Sequence, residues 1–222
     1  MTRLHANTAQ SIYRRLLDTY GPQGWWPADS AFEIVVGAVL TQNAAWTNVE
    51  YALTHLREAD ALSPEAILAL PDERLGALIR PSGYFNVKAR RLKAVCGFLV
   101  DAGGIEALRE CGTGDLRAAL LGVHGIGRET ADDIVLYAFH RPVFVIDAYT
   151  RRIFERLGLF VGGETYEALR GAFESALGPD VPVYQEYHGL IVEHCKAVCA
   201  VRPRCADCSL RYRCPVGRNE RA

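Results

Sequence analysis

No stretch of this 222-residue sequence comes near the ~20 consecutive apolar residues that a membrane-crossing helix requires, so no span is expected. The opening Met-Thr-Arg-Leu-His-Ala-Asn lacks the apolar centre of a secretion signal, and the cytoplasm is the expected location. Net charge is nearly absent, at −1 for pH 7, so overall charge argues nothing for a nucleic-acid partner. Lysine is scarce: Lys88, Lys93 and Lys196 are the whole complement. There is no internal repeat, no low-complexity linker and no composition shift to mark a domain boundary. What remains is a chain that is 50% hydrophobic and 23% charged. Such a chain buries a sizeable core and is globular rather than disordered.

Charge is uneven even though its sum is small. From Cys195 to Ala222, residues 196, 202, 204, 211, 213, 218 and 221 are basic, against acids at 207 and 220. Lys88, Arg90, Arg91 and Lys93 form a second cluster. Each patch suits phosphate contacts, and each is equally well read as a solvated helix face.

Apolar spacing is helical throughout. Ile12, Leu16, Leu17 and Tyr20 line a helix over 8–20, which Gly21-Pro22-Gln23-Gly24-Trp25-Trp26-Pro27 ends. Ser30-Ala-Phe-Glu33 reads as a capping box for a helix over 30–42 that is apolar nearly all round and therefore central. Ser63-Pro64 places a cap before a proline at the first helical position. Further helices are expected near 46–58, 64–70, 72–79, 86–101, 114–121, 164–177 and 182–199. Pro142-Val-Phe-Val-Ile146 has no partner strand in the sequence and reads as an extended buried connector, so the expected class is all-α. Between two apolar runs, Gly125-Ile126-Gly127 permits a sharp reversal, and amides at the start of the following helix, Arg128 onward, could meet an anion.

Cys199, Cys205, Cys208 and Cys214 follow a C-x5-C-x2-C-x5-C pattern within sixteen residues. So short a segment cannot build its own core, and cytoplasmic thiols stay reduced. Four thiolates suit zinc or an iron–sulfur cluster, and spacing alone does not choose between them. Cys195, one turn earlier, is an alternative first ligand with a poorer interval; Cys96 and Cys111 read as core residues.

Val123-His-Gly-Ile-Gly-Arg-Glu-Thr-Ala131 followed by Val145-Ile-Asp-Ala-Tyr-Thr-Arg-Arg152 resembles the helix-hairpin-helix and catalytic aspartate of the endonuclease III superfamily of DNA glycosylases. The likeness spans roughly 30–215. It implies a two-lobed fold with the active-site cleft between the lobes: 30–140, with the hairpin at about 114–139, and 1–29 plus 141–222. It also implies a [4Fe–4S] loop over 199–214, although the family's first interval is usually six residues where this chain has five. Double-stranded DNA with a damaged base is the implied partner, met near the nucleoid by a monomer. Asp147 would stabilise the positive charge left on the sugar as the base departs; its plainer role is a helix N-cap. His124, Gly125, Gly127 and Arg128 would meet the DNA backbone. Gly83-Tyr-Phe-Asn-Val-Lys88-Ala is similar to a family segment that packs helices, with a backbone contact from Lys88.

Two departures refine the expectation. Where bifunctional members carry a Schiff-base lysine, this chain has Glu129, which cannot be that nucleophile. A monofunctional glycosylase using water is therefore expected, with Glu129 facing the pocket or solvent. Gly37 stands where the adenine-mismatch branch has a catalytic glutamate. The stretch Leu40–Trp46 and the Trp25-Trp26-Pro27 turn are similar to the 3-methyladenine glycosylase branch. There an aromatic at the position of Trp46 stacks on the extruded base, the tryptophan–proline turn lines the pocket, and Gln42 or Asn43 plugs the gap. A base alkylated on a ring nitrogen is a cation, which stacks well on tryptophan. A glycosylase for oxidised, deaminated or mismatched bases and a non-catalytic DNA-binding paralogue remain open.

Overall fold

The computed structural model describes residues 4–219. The extreme N-terminus and Glu220–Ala222, with Arg221 of the basic tail, lie outside the described residues. Thirteen α-helices are described: α1 (Ala6–Tyr20), α2 (Ala31–Leu40), α3 (Trp46–Glu58), α4 (Pro64–Ala69), α5 (Asp72–Leu78), α6 (Phe85–Asp101), α7 (Gly104–Arg109), α8 (Thr113–Leu121), α9 (Arg128–Asp133), α10 (Ala148–Arg156), α11 (Tyr166–Leu177), α12 (Val181–Ala197) and α13 (Pro215–Asn219). Among the described residues there is no strand, and no helix is long and apolar enough to cross a membrane. The chain divides into two units, Ala28–Arg141 and Met1–Pro27 with Pro142–Ala222.

In the unit Ala28–Arg141 every residue of α2 from Phe32 to Leu40 is buried, as its uninterrupted apolar sequence requires. The Ser30 hydroxyl accepts the Glu33 amide at 3.1 Å and starts the helix. Glu33, itself buried, pairs with Arg57 of α3 at 2.8 Å. Helices α4 and α5 pack on α6. The second half of the hairpin departs from the expected plain helix: α9 passes into a π-turn over Ile134–Ala138, all buried, where the Phe139 amide reaches back to the Ile134 carbonyl. This turn packs against α2.

Lys88 corrects an expectation. It is 1% exposed, and its ammonium donates to the carbonyls of Leu40 (2.8 Å) and Ser82 (2.6 Å). The first of these is an unpaired carbonyl at the C-terminal end of α2, so the lysine caps that helix rather than touching phosphate. Burial, with Arg91 nearby, pulls its pKa down to about 8.

In the other unit, α1 packs on α11 and α12, and α10 on α12. The connector Val143–Ile146 is extended and buried. Side chains rather than a neighbouring strand satisfy its amides: Glu174 accepts from Phe144 at 3.0 Å and the Tyr166 hydroxyl from Ile146 at 3.3 Å. Phe144 stacks on Phe173, with centroids 4.2 Å apart, and meets Tyr184 and Tyr187 edge-on. This aromatic core sets where the chain emerges at Asp147.

Candidate active site and cysteine loop

Asp147 is the N-cap of α10. Its Oδ1 accepts the Thr150 amide at 2.6 Å, which fixes the side chain to the helix it begins. Its Oδ2 lies 3.5 Å from Nε2 of His188 on α12. The residue is 8% exposed. Burial is the largest influence on the carboxyl and raises its pKa. The His188 imidazole facing it, then the Thr150 amide, outweigh this and hold the group below the usual carboxylate range. Asp147 is thus an ionised carboxylate in a nearly dry place, able to face a developing cation.

Near it in the chain's fold, the turn before α2 docks on α12. The Glu186 carboxylate accepts the amides of Gln23 (2.6 Å) and Gly24 (3.4 Å). A Cβ on Gly189 would come within 3.1 Å of the Trp25 Cβ, so a glycine permits this approach. Trp25 and Trp26 are half-buried with ring centroids 5.2 Å apart; Pro27 is exposed. The Lys196 ammonium stands 6.0 Å from the Trp25 ring.

The remaining expected site residues belong to Ala28–Arg141. Trp46 is half-buried at the start of α3. His124, Gly127, Arg128 and Glu129 are exposed around the hairpin. Gln42 is tied to that hairpin: Nε2 donates to the Gly125 carbonyl (3.1 Å) and Thr130 hydroxyl (2.9 Å), while Oε1 accepts from Arg91. Asn43 is exposed, with φ +53°. Arg91 runs across the hairpin so closely that a Cβ on Gly125 would lie 2.3 Å from its Cγ, and Gly125 itself has φ +84°. Gly125→Ala is therefore expected to destabilise this unit by about 1–3 kcal/mol, read as a lower urea midpoint. A midpoint equal to wild type would show that Arg91 and the turn yield freely.

The cysteine loop is held from beneath by α10. Arg156 donates to the carbonyls of Ala200 (2.6 Å) and Val201 (2.9 Å) and to Cys199 Sγ (3.3 Å), and Arg152 to the Cys199 carbonyl (2.9 Å). Cys199, Cys205 and Cys214 are buried and Cys208 half-buried. His194, 1% exposed, is hydrogen-bonded through Nδ1 to the Tyr20 hydroxyl at 2.8 Å, and its Nε2 lies 3.6 Å from Cys208 Sγ. Among the described residues no three His, Cys, Asp or Glu side chains are gathered as ligands of one metal ion. The donor set nonetheless suits a thiolate-bound group: all four are free thiols, soft donors within sixteen residues, and the Cys208 pKa is raised first by burial and then by the charges of Cys199 and Cys214. Of the two candidate first ligands, Cys199 Sγ receives the Arg156 guanidinium at 3.3 Å, whereas the Cys195 thiol is turned to the Tyr149 carbonyl at 3.6 Å. Cys96 is core, its thiol pushed by burial to about 12; Cys111 is only half-buried, just past α7. His188, His194 and Arg156 carry no local signal in the sequence, and the roles of Tyr20 and Arg91 differ from the helix stripe and basic cluster their spacing suggests; only their distant partners reveal them.

Residues 36–179 match the family described as HhH-GPD superfamily base excision DNA repair protein. A protein of Methanocaldococcus jannaschii, provisionally named a DNA repair glycosylase, is 47% identical over 206 residues, 91% of this chain and 94% of that protein. Among solved structures, a 3-methyladenine DNA glycosylase of H. pylori bound to 1,N6-ethenoadenine shares 31% identity at TM-score 0.72, covering 87% of this chain and 98% of that one. A non-covalent endonuclease III–DNA complex aligns with TM-score 0.83 at 22% identity, over 97% of each chain, a likeness of fold.

Proposed function

Because the chain belongs to the HhH-GPD superfamily of base excision DNA repair proteins, we propose that it is a monofunctional DNA glycosylase that hydrolyses the N-glycosidic bond of alkylated, 3-methyladenine-like bases. That it is a DNA repair glycosylase follows from the family; the substrate and the absence of lyase chemistry are the reading offered here. The observation that carries it is an ionised, buried Asp147 at the start of α10, in a chain that has Glu129 and no lysine on the first turn of α9.

A carboxylate beneath the anomeric carbon stabilises the oxocarbenium-like state and positions water. Its depressed pKa makes it a weak base, which suffices when the leaving base is already cationic and bond breaking runs ahead of water attack. Capture of the sugar would need an amine. Lys88 is buried under two carbonyls and Lys93 is paired with Asp72. Lys196 lies over Trp25, outside the hairpin. Trp25 with Trp26, and separately Trp46, offer faces for a cationic ring, and the H. pylori relative holding 1,N6-ethenoadenine supports a modified purine. The likeness of fold to endonuclease III keeps a second reading in view, a glycosylase for oxidised or mismatched bases.

The four cysteines are read as ligands of a [4Fe–4S] cluster, with zinc as the competing occupant. When bound, the group supplies a rigid anchor for residues 199–214; Arg211 and the exposed Arg213 of that loop are then placed to meet phosphate.

The test is free-base release from duplexes that each carry one lesion, with borohydride added in parallel. Methylated purine should be released and no covalent adduct should form. Preference for a neutral oxidised pyrimidine, or efficient trapping, would overturn the reading.

A further inference from the structure

We propose that His188 is a positioning residue for the Asp147 carboxylate, which it holds ionised and aimed from the opposing helix; this rests on reading Asp147 as the catalytic group. The two side chains meet across α10 and α12, forty-one positions apart in sequence, with Nε2 3.5 Å from Oδ2. Both residues are buried, at 5% and 8% exposure. A carboxylate in so dry a setting takes up a proton unless something opposes it. Here both oxygens have a partner. The Thr150 amide holds Oδ1 from within α10, and the imidazole faces Oδ2 from α12. Contacts from two elements fix the plane of the carboxylate, which a single cap bond leaves free to rotate.

The other cations on α10 are directed elsewhere. Arg151 donates to the Glu164 carbonyl (3.1 Å) and Arg152 to the Cys199 carbonyl (2.9 Å). Cys195, also on α12, lies within reach of the Asp147 charge, but its thiol is turned to the Tyr149 carbonyl at 3.6 Å. The neighbour of His188 on α12 is Gly189, the residue on which Trp25 docks. One turn of α12 therefore sets both the carboxylate and the tryptophan turn. At 3.5 Å the His188 contact is longer than a firm hydrogen bond, and such contacts tighten when substrate arrives.

The test compares His188→Gln, His188→Asn and His188→Phe with wild type. Glutamine can carry an amide donor to the place of Nε2. Asparagine is too short and phenylalanine has no donor. Three quantities are read: single-turnover base release, affinity for DNA containing an abasic-site analogue, and the titration of the Asp147 carboxyl by carbon-13 NMR, assigned with Asp147→Asn. The Asn and Phe variants should lose about 100-fold in rate with affinity kept within about twofold. Their Asp147 midpoint should rise by roughly one unit or more. Glutamine should restore most of both. Wild-type rate and midpoint in the Asn variant would overturn the proposal, and so would a Gln variant as impaired as Asn. The polar Asn and Gln variants carry the test even if Phe does not fold. Should the wild type release no base from any lesion, the catalytic reading of Asp147 fails by itself. The carboxyl titration then still decides whether His188 holds that group ionised.

Discussion

Asp147→Asn should slow base release by about 10³-fold while leaving the fold and DNA affinity close to wild type. The separation is possible because, on the proposed mechanism, the residue does two things through different properties. As the N-cap of α10 it needs only an oxygen to accept the Thr150 amide, and asparagine caps as well as aspartate. As the group that faces the sugar it needs negative charge, which the amide lacks. Asp147→Ala should show both losses, with about 1 kcal/mol of stability gone besides the activity. Single-turnover release at saturating enzyme, alongside thermal unfolding, measures the two. An Asn variant that releases base at the wild-type rate would remove the mechanism proposed here.

The pH dependence follows from the same carboxylate. Its folded pKa lies below the model-compound value of 3.8. The sign is that of a depressed acid: its contribution to stability is complete above the unfolded value and fades as pH falls through the folded one. Between neutrality and about pH 5 the group stays charged, so any fall in rate over that interval arises from another residue.

Cys214→Ser should abolish iron binding and free the segment from Cys199 to Asn219 from its packing. Apart from the hydrogen bonds that Arg152 and Arg156 of α10 make to residues 199–201, the segment has little to hold it. Its regular structure is two three-residue 3-10 turns and the five-residue α13, and among its buried apolar side chains outside the cysteines is Leu210. In small metal modules the bound group contributes on the order of 10 kcal/mol, far more than those turns could. Purified wild type should contain about four irons per chain and the brown colour of a cluster. The variant should be colourless and cut by protease within the loop, while the aromatic core around Phe144 and Phe173 keeps its protection. A colourless wild type with about one zinc would assign the thiolates to that ion instead. A Cys214→Ser protein with full iron would remove that cysteine from the ligand set.

Much of the local architecture is legible in the sequence. Helix α2 announces its burial by having no polar face, and Ser30 and Ser63 announce the starts of α2 and α4. The reading of 142–146 as a connector rather than a strand also stands, since its amides are met by Glu174 and Tyr166. The short α7, which opens on Gly104 with φ +91°, left no periodic trace because six residues scarcely exceed one turn and a half. The π-turn after Asp133 escaped for another reason. Its apolar spacing is helical, and the widened turn, buried against α2, has no counterpart in that spacing.

Lys88 shows most plainly where reading by residue type stops. A lysine in a basic cluster looks like a phosphate contact, yet this one ends a distant helix by binding the Leu40 carbonyl. Residue type, spacing and chain order were enough to establish the all-helical class, the glycine hairpin, the aspartate that begins α10 and the four-cysteine loop, because each depends on contacts within a few positions. The partners came only from tertiary structure: His188 facing Asp147, Tyr20 behind His194, Arg156 under the cysteine loop and Arg91 across Gly125. Those pairings join residues up to 174 positions apart, and the free energy that selects them comes from burying whole helix faces, a quantity no short window of sequence contains.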